Sequence, residues 1–235
     1  MTTTIYWSSA HQTNPEFNTS ILYTEPISLL SEWNTKRDKN ERPKGYMNCP
    51  AVTDMAARTL VFRSNNDFGV SINEDKSLDK YNMDWVMEHE PTIGNQYTIT
   101  ADMSWYFFSD DPEMQMTITS PYHTRTQHLQ YGHVMGGRFN IGSWFRPVNL
   151  EFELWEDVSE FHIRETEAFM YANFITYDKV VFKRFEINDK LYSYAGSMSN
   201  TNLWSPRKKL IQRYAQFGKT SLRSKILSEI ENCLV

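Results

Sequence analysis

The stretch Val148-Asn-Leu-Glu-Phe-Glu-Leu154 decides the fold class of this chain. Val148, Leu150, Phe152 and Leu154 alternate with Asn149, Glu151 and Glu153, a period of two that sends the apolar side chains to one face of a strand. The same alternation recurs on both sides. Downstream, Phe161 and Ile163 alternate with His162 and Arg164, Ala168 to Ile175 is apolar enough for a central strand, and Val180-Val-Phe-Lys-Arg-Phe185 closes the body as its last strand. Upstream, Met114, Met116 and Ile118 alternate with Gln115, Thr117 and Thr119. Before them Tyr97, Ile99, Ala101, Met103 and Trp105 alternate with Thr98, Thr100, Asp102 and Ser104, the pattern of a half-buried strand.

The turn residues Ser109-Asp-Asp-Pro112 predict a hairpin between those last two strands. A further hairpin is predicted where Leu60-Val-Phe62 and the alternating Phe68, Val70 and Ile72 flank Asn65-Asn-Asp67. The aromatic run Trp105-Tyr-Phe-Phe108 reads as core. Short strands about ten residues apart, punctuated by turns, indicate a mainly β sandwich or barrel. The chain divides on this reading into an irregular N-terminal extension over residues 1–45 with an exposed loop at 34–45, a β domain over 46–190, and a linker with a helical tail over 191–235.

The tail changes period. Ser205-Pro206 offers an N-cap with proline in the first helical position, where its missing N–H is not needed. Leu210, Ile211, Tyr214 and Phe217 share a helical face, Gly218 suits the C-terminal cap, and Thr220 or Ser221 opens a second helix carrying Leu222, Ile226, Leu227 and Ile230. From residue 205 the tail holds seven basic and two acidic residues, which leaves the first 204 residues at −10 within a total of −5. That acidic body disfavours broad nucleic-acid binding. The tail packs its apolar face on the body or docks a partner.

With 40% hydrophobic residues and 14 Phe, 13 Tyr and 7 Trp, the chain has the apolar surface for a core. Cys49 and Cys233 are its two cysteines and make no disulfide framework or CxxC pair, which fits a reducing compartment. No signal-peptide pattern opens the sequence and no run of eighteen apolar residues interrupts it, so a cytoplasmic protein is expected, in host cytoplasm if viral.

The segment from Gly136-Gly-Arg-Phe through Trp144 to Leu150-Glu-Phe152 resembles a turn and strand shared by dCTP deaminases and dUTPases, which have a β-clip fold. The likeness covers about residues 114–176. It implies a β-clip-like or jelly-roll-like domain, a homo-oligomer, a nucleotide ligand, and Glu151 as general acid/base when water attacks the base. Ser120 and Arg125 would stand for the serine and arginine of the family, and Trp144 and Arg146 would border the ligand. The pattern departs from the family in lacking an Arg-Ser-Ser run, in Asn140 where aspartate is usual, and in a turn longer by one residue at Ile141-Gly-Ser-Trp144. The glycine-rich C-terminal phosphate motif of dUTPases is missing. By alternation alone, Glu151 and Glu153 face solvent. A wider resemblance, to uncharacterised proteins of tailed bacteriophages and bacteria, rests on Cys49-Pro-Ala-Val52 and the same turn, and covers about residues 46–190.

His123, His128 and His133 recur at intervals of five, which places strand residues on opposite faces, so polar loop or surface histidines are expected and no metal or other cofactor is assigned. Arg125, Arg138, Arg146 and His123 would meet a phosphate only if their loops converged. Cys49 has no His partner in the pattern of a thiol protease and is expected to be a buried thiol. Two functions remain: a non-catalytic binding or assembly protein, with a bacteriophage origin suggested by the resemblance, or a deoxynucleotide deaminase or hydrolase using Glu151.

Overall fold

The computed structural model describes residues 1–9, 24–37, 45–74, 78–79, 86–89, 97–199, 210–217 and 219–235. In chain order the elements are β1 (Thr2–Ser9), β2 (Ile27–Ser28), α1 (Leu29–Lys36), α2 (Pro50–Ala57), β3 (Thr59–Arg63), β4 (Phe68–Ile72), β5 (Leu78–Asp79), β6 (Val86–His89) and β7 (Tyr97–Ser109). There follow β8 (Gln115–Thr119), β9 (Gly132–Val134), β10 (Gly137–Asn140), β11 (Pro147–Leu154), β12 (Glu160–Ile163), β13 (Ala168–Ile175), β14 (Lys179–Arg184), α3 (Asp189–Ser199), α4 (Leu210–Phe217) and α5 (Leu222–Asn232).

Three open sheets carry the fold, which is mainly β. One runs β14-β1-β7-β11-β9, with β6 also paired to β7, the second runs β10-β8-β13-β3-β2, and the third is β12-β4-β5. None closes on itself, so the barrel alternative is not realised. All three contribute to one apolar core. Phe62 of β3 meets Trp105 of β7 with ring centroids 4.6 Å apart, and Phe107 of β7 meets Phe174 of β13 at 6.1 Å. Trp105, Tyr106, Phe107 and Phe108 are all buried, as their run implies. β13 is the middle strand of its sheet and is buried over most of its length, as its composition requires.

Both expected hairpins are absent. β3 pairs with β13 and β2, whereas β4 pairs with β12 and β5, so the turn at Asn65–Asp67 carries the chain from one sheet to another. β7 and β8 likewise belong to different sheets. Turn residues mark the reversal, but nothing local states whether the next strand pairs back or crosses over. β7 is also covered on both faces. Thr98 and Thr100 are buried with Ile99 and Ala101, where a half-buried strand was expected. The side chains of Tyr97, Asp102, Met103 and Ser104 lie outside the described residues.

Within the N-terminal segment the described residues form β1, β2 and α1. β1 is inserted between β14, to which it is parallel, and β7, to which it is antiparallel, so the first residues hold the sheet together. α1 begins at Ser28, whose Oγ accepts the Ser31 amide at 3.1 Å, and it continues through Asn34, Thr35 and Lys36, where a loop was expected. Buried Glu32 of α1 accepts from Arg63 Nε at 2.7 Å and Nη2 at 2.6 Å and from Lys36 Nζ at 2.8 Å. Burial alone would raise its pKa, but these hydrogen bonds and charges outweigh it and lower it. The Cys49-Pro50 element is the start of α2, with Pro50 in the first turn. Cys49 is exposed, contrary to the expected buried thiol, because the start of this short helix lies at the surface.

The tail packs on the body. Tyr106 and Phe108 of β7, with Tyr6 of β1, face away from the main core and form a second cluster with Trp144, Phe145, Leu191, Phe217, Ile226 and Ile230. Arg223 of α5 fastens it, donating from Nε to the Gly142 carbonyl at 2.8 Å and from Nη2 to the Ser109 and Asp110 carbonyls at 3.0 and 2.7 Å. The guanidinium also lies over the Phe108 ring, 5.9 Å from its centroid, within reach of a cation–π contact. The pair α4 and α5 is the one read from the sequence. Ser205, Pro206, Gly218 and the side chains of Leu210 and Ile211 lie outside the described residues.

Candidate functional site

Among the described residues those singled out by resemblance share no side-chain hydrogen bond or ion pair, although Ser120 Oγ and the Glu151 carbonyl accept the successive amides of Val134 and Met135. Glu151 projects from β11 opposite Thr100 of β7, and its side chain is exposed. Ser120 is committed to the backbone: its Oγ accepts the Val134 amide at 2.9 Å. Arg125 and Arg138 are exposed and Arg146 is half-buried. Trp144 is buried 4.5 Å from the ring of Tyr214, so it seats α4 on the sheet. Among the described residues no hydrogen bond or ion pair joins Glu151 to Ser120, Arg125, Trp144 or Arg146.

The three histidines have separate surroundings. His123 is wedged among Trp33, Tyr46 and Tyr122, with ring centroids 4.9–5.6 Å from it, and burial lowers its pKa. His133 is 3.3 Å from the Glu153 carboxylate and packs against Trp155. His128, expected at the surface, is fully buried against Phe152. Its Nδ1 lies 3.0 Å from Glu167 Oε1, which also accepts the His128 amide at 3.0 Å, while Glu167 Oε2 accepts the Arg164 amide at 2.9 Å. Burial would raise the pKa of Glu167, yet the bonds from His128 and the two amides hold it down at about 2. This pair ties the loop before β9 to the turn before β13. Among the described residues no three His, Cys, Asp or Glu side chains gather in a metal-binding set.

A different place has the shape of a binding site. A groove of about 610 Å³ opens between the edges of the two larger sheets. Its apolar walls are Trp7 of β1, Leu60 of β3, Phe182 of β14, Ile27 of β2 and Leu234 near the C-terminal end. Lys183 and Arg184 line it as well, the latter 3.8 Å from Glu25 and stacked over Trp7 at 5.8 Å.

The backbone of β14 is half used along this groove. The Lys179 amide donates to the Met1 carbonyl at 3.2 Å and the Phe185 amide to Trp7 at 3.0 Å, so odd-numbered residues turn their peptide groups to β1. Even-numbered residues turn theirs outward. The Arg184 carbonyl accepts the Val235 amide at 3.2 Å, the Glu186 amide donates to Cys233 at 2.8 Å, and Leu234 lies antiparallel across Phe185. Among the described residues nothing pairs with the outward peptide groups of Val180 and Phe182. Alternation predicts Val180–Phe185 as the last strand of the body, but not its place at the edge of the sheet. The signal was present: Lys179 and Lys183 bracket an apolar strand, a pattern that marks sheet edges.

Comparison with protein-family models, curated proteins and solved structures finds no match to this chain.

Proposed function

We propose that this chain is a non-catalytic binding or assembly protein that holds a partner in the groove beside β14. The observation that carries the reading is the meeting of two features at one place, a groove with apolar and polar walls and a strand edge whose outward peptide groups at Val180 and Phe182 have no partner among the described residues. Unpaired strand edges bind extended chains through main-chain hydrogen bonds, and an adjoining groove supplies room for side chains. The exposed side chain of Glu151 supports the same reading over the deaminase or hydrolase alternative, since a general acid/base works within hydrogen-bond reach of a reacting atom held in a cleft.

A photo-crosslinking amino acid placed at Lys183, and in a separate variant at Glu151, tests this in cells. A defined protein adduct at position 183 and none at 151 is expected. A thermal shift of the purified chain with a deoxynucleotide, abolished by Glu151→Gln, together with no adduct at 183, would overturn the proposal.

A further inference from the structure

Resting on that reading, we infer that the partner is an acidic extended peptide, added antiparallel to the outer edge of β14. The pairing direction is already set. Val235 and Leu234 lie antiparallel to β14 at its Arg184 end, and among the described residues no partner takes the outward N–H and C=O of Phe182 and Val180. A segment continuing that line forms the next rungs.

Side-chain alternation specifies the sequence it needs. Val180 and Phe182 are half-buried and pack on the core, while Lys179, Val181 and Lys183 are exposed on the opposite face. An added strand presents its side chains in the same two directions. Those on the side of Phe182 enter the groove over Leu60 and Ile27 and are apolar. Those on the other side lie beside Lys179 and Lys183, where carboxylates are favoured and lysines or arginines are not. The groove lining itself mixes Lys183 and Arg184 with Glu25, 3.8 Å from Arg184, and Val235, so the preference for carboxylates comes from Lys179 and Lys183 on the exposed face. The same charges disfavour a second copy as occupant. Antiparallel pairing of β14 with itself about Val181 would set Lys179 of one chain opposite Lys183 of the other.

The test is fluorescence anisotropy of the full-length protein with a labelled peptide that alternates valine with glutamate, against a control in which lysine replaces glutamate. Saturable binding of the glutamate peptide and none of the lysine peptide is expected. Lys179→Glu with Lys183→Glu, both exposed and so compatible with folding, should weaken the glutamate peptide about tenfold and admit the lysine peptide, the loss of two exposed charge pairs and their replacement by repulsion. N-methylation of the peptide amide that faces the Phe182 carbonyl should abolish binding, whereas methylation of an outward amide should not. Indifference to charge reversal or to methylation would overturn the inference, as would no binding of the glutamate peptide. Concentration-dependent dimerisation in sedimentation that blocks the peptide would also overturn it. If these fail while the crosslink at position 183 forms, the groove binds something else and the wider reading stands.

Discussion

Replacing Glu167 with glutamine removes a carboxylate that is held by two backbone amides and a buried imidazole. The folded-state pKa of about 2 lies well below the ordinary 4.5, so the ionised form is what the fold stabilises. For a depressed carboxylate the contribution is present above the unfolded pKa and is lost as pH falls toward the folded one. A shift of this size corresponds to about 3 kcal/mol at pH 7. By the same linkage, about 2 kcal/mol of it disappears between pH 6 and pH 3. Urea unfolding of wild type and Glu167→Gln at a series of pH values isolates this group, because every other carboxylate titrates in both proteins. The stability difference should shrink by about 2 kcal/mol over that interval, with wild type the more pH-sensitive. Parallel curves, offset by a constant, would refute the claim that the ionised Glu167 is what holds His128 and the Arg164 turn.

Three further outcomes follow from local geometry. Gly142→Ala would drive a Cβ into the carbonyls of Asp111 and Pro112, and should cost about 3 kcal/mol in urea unfolding. Arg223→Ala leaves the Ser109 and Gly142 carbonyls without this donor beneath the tail, and should cost about 2 kcal/mol and speed tryptic release of α5. Thr166 holds φ at 64°, a left-handed backbone that a β-branched residue resists, so Thr166→Gly should stabilise the protein by about 0.5–1 kcal/mol despite the entropy of glycine.

Local periodicity told much of the fold. β11, β8 and β12 show the alternation their sequences predict, and β13 is buried as its composition requires, because the side-chain period depends only on the strand and its solvent. Pairing was less legible. That β1 joins β14 in parallel and β7 antiparallel depends on contacts more than a hundred residues apart, which leave no mark in a short polar N-terminus such as Met1-Thr-Thr-Thr4. For the same reason the groove was invisible: its walls come from β1, β2, β3, β14 and the last residues of the chain. Glu151 drew attention through its neighbours in sequence, yet strand alternation already placed it toward solvent. The burial of His128 is not legible because no sequence pattern announces Glu167 as its partner, 39 residues on.

The central claim is that β14 keeps an open edge ready for another strand, and amide hydrogen exchange of the free protein measures that edge directly. In the unliganded chain the amides of Val180 and Phe182 should exchange far faster than those of Val181 and Lys183, which face β1. Adding the glutamate-alternating peptide should slow Val180 and Phe182 alone within the strand. Equal protection of all four amides in the free protein would mean that the edge is already occupied, and would contradict the account.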